Sequence, residues 1–136
     1  MKAGPITIAV EITADTSRLS EAVESVRSIL HSPDLATVAV LSAVRDERRR
    51  QVDRWGEQSL PHGTGEPHHA DSRDRFRAVC EAHAEDGTVT WTDVLLEEVF
   101  EALAEADPAR LRAELVQAAA VCVAWVEAID REGRQG

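Results

Sequence analysis

Glu97-Glu98-Val99-Phe100-Glu101-Ala102-Leu103-Ala104-Glu105-Ala106-Asp107-Pro108-Ala109-Arg110-Leu111-Arg112-Ala113-Glu114-Leu115-Val116-Gln117 is the stretch on which the fold turns. Its centre, Ala106-Asp107-Pro108, reads as the end of one helix and the start of another. An Asp side chain accepts from the free N–H groups of a first turn, and Pro suits the first helical position. With helical flanks the chain folds back as a hairpin about Asp107 and Pro108, which sets Glu101 opposite Glu114 and Glu98 opposite Gln117. Three carboxylates and one amide then converge on one patch. Crowded carboxylates repel, so such a patch points to a hard cation such as Mg²⁺.

Helical periodicity places the patch on both arms. On the first arm Leu95, Val99, Ala102, Leu103 and Ala106 share one face, and Glu98, Glu101 and Glu105 run along its edge. On the second arm Leu111, Leu115, Ala118, Cys122, Val126 and Ile129 form the apolar face, with Glu114 and Gln117 on its edge. That edge continues through Val121 and Trp125, so it is expected to be buried beyond the polar patch. The competing reading is a solvated edge, the ordinary fate of a Glu-rich helix.

Working outward, Thr90-Trp91-Thr92-Asp93 reads as a capping box, with Asp in place of the usual Glu or Gln, opening a helix to about Glu105. The last helix is expected from Pro108 to about Arg131. Upstream, a short helix is expected over Ser72 to about Glu85, closed by Asp86-Gly87. Residues 57–71 hold Pro61, Gly63, Gly65 and Pro67, a loop composition. A long helix is expected from about Asp34 to Trp55, ending at Gly56, and another from about Ser17 to Leu30. Ile6 to Ile12 alternates as a half-buried strand with no clear partner. The expected architecture is therefore mainly α: a strand-helix appendage over residues 1–33 and a helical domain over 34–136.

The totals narrow the function classes. The chain has 136 residues, a net charge of −10 and Lys2 as its single lysine. An acidic surface argues against duplex nucleic acid as a partner, but a metal ion can bridge an acidic site to phosphates. No apolar run is long enough to span a membrane, and no signal peptide is apparent, so a cytoplasmic location is expected, with Cys80 and Cys122 as reduced core thiols. The charge is uneven: Ala78 to Ala109 holds nine acidic residues and no Lys or Arg, while Arg45 to Arg54 packs five arginines into ten positions.

Within that basic run, Arg48 stands four residues from both Val44 and Val52 and so points toward the apolar face. It reads either as a phosphate clamp or as a partner for Glu98 or Glu101. Trp55 and Trp91 sit at helix ends next to loops, where a ring can stack on a nucleobase or pack into the core. His62, His68, His69, Cys80 and His83 have spacings that match no closed zinc motif. No Gly-rich phosphate loop, serine nucleophile motif or dinucleotide fingerprint is present.

Glu98-x-x-Glu101, twelve residues, then Glu114-x-x-Gln117, with Glu97 just before, resembles the metal-binding signature of the all-α nucleoside triphosphate pyrophosphohydrolases, the MazG and dimeric dUTPase superfamily. Glu47-Arg48-Arg49-Arg50-Gln51 with Trp55-Gly56 is similar to the first core helix of MazG-like proteins from phages and actinobacteria. The similar parts cover roughly residues 44–131.

The resemblance implies a helical bundle of that type, assembled as a homodimer or homotetramer. It also implies hydrolysis of a nucleoside triphosphate to monophosphate and pyrophosphate. By the same resemblance Glu98, Glu101, Glu114 and Gln117 would hold Mg²⁺, Glu97 or Glu101 would orient or deprotonate the attacking water, and Arg48 and Trp55 would contact substrate. One departure is visible. The family pattern has Asp where Gln117 stands, and an amide brings no negative charge and cannot act as a base. A non-catalytic nucleotide sensor or interaction module on the same fold is the alternative expectation.

Overall fold

The structure, a computed structural model, describes residues 16–30 and 33–136. These form five helices: α1 (Thr16–Leu30), α2 (Pro33–Trp55), α3 (Pro67–Glu85), α4 (Trp91–Ala104) and α5 (Pro108–Gly133). The protein is mainly helical, with no strand among the described residues. The strand expected over Ile6–Ile12 lies outside them. No helix among the described residues is long and apolar enough to cross a membrane. The chain divides into two compact units, Met1–Leu35 and Ala36–Gly136. In the first, α1 carries Leu19, Val23 and Val26 as an apolar stripe, and Arg27 pairs with Glu24 one turn earlier at 3.1 Å.

In the second unit, α4 lies between α3 and α5 and packs against both. Its start is fixed by a reciprocal cap. The Asp93 N–H donates to Thr90 Oγ1 at 3.3 Å, and the Thr90 N–H donates to Asp93 Oδ2 at 2.8 Å. The start of α5 is fixed by Asp107, whose carboxylate accepts from the Arg110 N–H at 2.9 Å, with Pro108 in the first turn. Two short connections between capped helices leave antiparallel neighbours as the compact solution. The pairings agree: Phe76 stacks on Phe100 with centroids 4.7 Å apart, and Trp91 on Trp125 at 6.3 Å.

Three sequence expectations are corrected here. The helix expected from Ser72 begins at Pro67, so His68 and His69 are helical and the loop spans only 57–66. Pro67 reads as loop composition but occupies the first turn. The Glu66 N–H donates to His69 Nδ1 at 3.3 Å, which caps the extended start. Second, α4 is half-buried around nearly its whole circumference, not along one stripe, because helices cover two of its sides. Third, Cys122 is exposed and only Cys80 is buried. On α5 the side turned to α4 runs through Leu111, Ala118 and Trp125, leaving Leu115, Val126 and Ile129 exposed with Cys122.

The loop is tied to the hairpin at one point. The Gly65 N–H donates to the Leu103 carbonyl at 2.8 Å, and a Cβ on Gly65 would lie 2.8 Å from the Ala106 Cβ. Gly65 also has φ +81°, which side chains rarely adopt, so both the contact and the backbone require glycine. The Thr37 hydroxyl of α2 donates to Glu127 Oε1 of α5 at 2.6 Å.

Candidate metal centre

Glu98 and Glu101 lie one turn apart on α4, and Glu114 lies on the first turns of α5. The capped Asp107-Pro108 turn brings them together: one carboxylate oxygen from each lies within 4.8 Å of the others. All three side chains are half-buried. Oxygen ligands at roughly 2.1 Å from Mg²⁺ stand about 3 Å apart when adjacent and about 4 Å when opposed. A small change of side-chain torsion therefore separates the present arrangement from a coordination shell.

The electrostatics of the trio are unbalanced. Glu98 Oε2 is buried and has no hydrogen-bond partner. Burial first, then the charges of Glu101, Glu114 and Glu97, raise the Glu98 carboxyl above its ordinary range. An orphaned carboxylate oxygen in an all-oxygen, anionic setting is what a hard divalent cation satisfies, so these residues fit Mg²⁺.

The fourth corner behaves differently. Gln117 Nε2 donates to Glu114 Oε2 at 3.1 Å, so its amide is turned as a donor toward a carboxylate. Glu97 lies beside the trio but faces α3. The buried Cys80 thiol is pushed up to about 11 by its hydrogen bond to Glu97 and by burial. Such a thiol stays protonated and inert.

The cation that meets the acidic patch comes from α3. Arg77 donates to Glu101 Oε1 through Nη2 at 2.6 Å and Nε at 3.2 Å, and its Nε lies 4.0 Å from Glu97. A cleft of about 280 Å³ opens beside the trio, lined by Arg73, Arg77, Glu101, Ala104, Glu105, Arg110 and Glu114. Arg110 is held at its rim by Glu105 at 2.9 Å, and Arg73 pairs with Asp74 at 2.9 Å.

Sequence reasoning missed these arginines, although Arg73, Phe76, Arg77 and Cys80 repeat at the three- and four-residue spacing of one helix face. Arg48, expected as a clamp or a partner for these carboxylates, is exposed on α2, bonded to Gln51 of its own helix, and does not line this cleft. Trp55 is 54% exposed at the end of α2 with the Arg54 guanidinium over its ring, so it is not a core residue and does not line the cleft either. Trp91 and Trp125 are half-buried against each other.

The geometry thus sets a carboxylate trio beside a cleft lined by three arginines and three glutamates, in which each arginine is paired with a carboxylate. Comparison with protein-family models, curated proteins and solved structures gives no match for this chain.

Proposed function

We propose that the protein is a Mg²⁺-dependent nucleoside triphosphate pyrophosphohydrolase of MazG type, acting in the cytoplasm as a homo-oligomer. The observation that carries this reading is the convergence of Glu98, Glu101 and Glu114 beside a cleft that presents Arg73, Arg77 and Arg110. Polyphosphates are chelated by hard cations and gripped by guanidinium groups, and the two recognition elements here share one opening. Bound Mg²⁺ would supply charge neutralisation at the phosphate oxygens. Glu98, Glu101 and Glu114 would hold it. Glu101 would orient water or accept its proton once Arg77 releases it, and Glu97, which faces α3 beside Cys80, would do so only by turning toward the trio. The arginines would fix the phosphate chain, so that little rearrangement is left for the reaction.

Release of pyrophosphate from a panel of ribo- and deoxynucleoside triphosphates, with and without Mg²⁺, tests the reading. Mg²⁺-dependent release from at least one nucleotide, abolished in Glu98→Gln, is expected. No release from any nucleotide removes the enzymatic assignment.

A second reading, a nucleotide sensor that binds without turnover, is favoured by the Gln117 amide bonded to Glu114. It predicts thermal stabilisation by Mg²⁺ and nucleotide with no pyrophosphate formed.

A further inference from the structure

We propose that Arg77 is a built-in counter-ion that leaves Glu101 for the polyphosphate chain of the substrate, which makes binding of the cation and of the phosphate chain mutually dependent. The inference rests on the cation site and substrate class proposed above and adds how that site is regulated. Four carboxylates, Glu97, Glu98, Glu101 and Glu114, crowd one end of the α4–α5 hairpin. Among the described residues Arg77 is the cation that reaches them, with two N–H groups on the same Glu101 oxygen at 2.6 and 3.2 Å. That pair offsets the mutual repulsion of the cluster as it stands.

The same pair opposes a divalent cation. A metal ion on Glu101 and its neighbours would lie beside a guanidinium already seated on that carboxylate, so like charges would share one ligand. Arg77 must then find another anion, and the cleft supplies the place. Its side chain is half-exposed there, facing a space of about 280 Å³ that Arg73 and Arg110 also line, together with Glu101, Glu105 and Glu114, which a phosphate chain would reach with the cation between them. A phosphate group offers the guanidinium fork two oxygens where Glu101 offers one. A phosphate chain in the cleft would therefore draw Arg77 away and free Glu101 for the cation. By linkage the cation would raise affinity for the phosphate chain by the same factor. In a cell where free Mg²⁺ is abundant, the carboxylates would be filled only when a polyphosphate arrives with it.

Isothermal titration of the full chain separates the possibilities, using Mg²⁺ alone and then Mg²⁺ with inorganic tripolyphosphate. Arg77→Met is expected to bind Mg²⁺ alone roughly tenfold more tightly than the wild type and Mg²⁺-tripolyphosphate at least tenfold more weakly, in line with typical coupling of 5–150-fold. Arg77→Lys keeps the charge but loses the fork, so its Mg²⁺ affinity should stay near wild type while tripolyphosphate weakens. Wild-type and Arg77→Met proteins that bind Mg²⁺ equally would overturn the counter-ion role and leave the cation site standing. No Mg²⁺ binding by either, with or without tripolyphosphate, would remove the cation site itself. Circular dichroism confirms folding of both variants, which replace a half-exposed side chain.

Discussion

Among the described carboxylates, Glu98 has the environment least suited to its charge. Burial and three neighbouring carboxylates hold its carboxyl above the ordinary value of 4.5, and one of its oxygens has no partner. The folded chain therefore keeps this proton to higher pH than the unfolded chain does. Across the window above 4.5 the folded state binds more protons, so stability falls as pH rises and the penalty is complete once Glu98 ionises. Glu98→Gln removes that penalty. Its melting temperature at pH 7 should exceed that of the wild type, the gain should vanish below pH 4.5, and Mg²⁺ should no longer stabilise it. A lower melting temperature at pH 7 would refute the argument.

Gln117 tests the opposite corner. Its amide now donates to Glu114, and Gln117→Asp replaces that donor with a fourth like charge. The metal-free protein should become less stable, and Mg²⁺ affinity should rise about tenfold, since ligand charge count tunes cation affinity. Titration of the melting temperature with Mg²⁺ reads both effects, and no change in either speaks against the hairpin as a metal site.

At the scale of elements, the loop from Glu57 to Glu66 shows how much a single backbone contact sets. Gly65 meets the Ala106 side chain and backbone, whereas Gly56 and Gly63, also at positive φ, face open space. Gly65→Ala should cost about 2–3 kcal/mol and Gly63→Ala only about 1, because the second carries backbone strain without a clash. Urea denaturation of the two variants measures the difference, and equal losses would mean that the loop does not rest on the hairpin.

The same contrast explains what could be read from the chain. The α4–α5 hairpin was legible because Thr90, Asp93, Asp107 and Pro108 act locally, within one turn of the helix ends they fix. The beginning of α3 was not, because Pro67 carries the same residue signature in a loop and in a first helical turn. Arg77 was not, because its pairing with a residue 24 positions away follows from which helix covers α4. Periodicity gives the faces of a helix and says nothing about which neighbour each face meets. The strength of the Arg48 expectation came from its place among apolar residues. Val44 and Val52 on either side of it are themselves exposed, so the face it belongs to is not buried within the second unit.

At the scale of the second unit, the open apolar face is the central fact. Among the described residues the buried core consists of Val40, Cys80, Ala102, Leu111 and Ala118, and no large side chain is wholly enclosed. Meanwhile Leu41 is 50% exposed and Val116 54% exposed on the two walls of an apolar groove of about 470 Å³ between α2 and α5. The groove lies away from the acidic trio, none of whose members lines it. Apolar surface left open at this scale in a domain with so small a core favours self-association. A second copy fits by symmetry. The same face on two chains can meet about a twofold axis, which closes the assembly without leaving a groove at either end. The wild type should therefore sediment as a dimer or tetramer at micromolar concentration. Val116→Glu and Leu41→Glu, which place a charge inside the groove, should shift it to monomer and lower its melting temperature. Surface Glu-for-Ala changes on α3 should do neither. Because the groove and the trio occupy different sides of α5, Mg²⁺ binding should survive in a folded monomeric variant. A wild-type protein that sediments as a monomer would show that α2 and α5 are stable with this face in water.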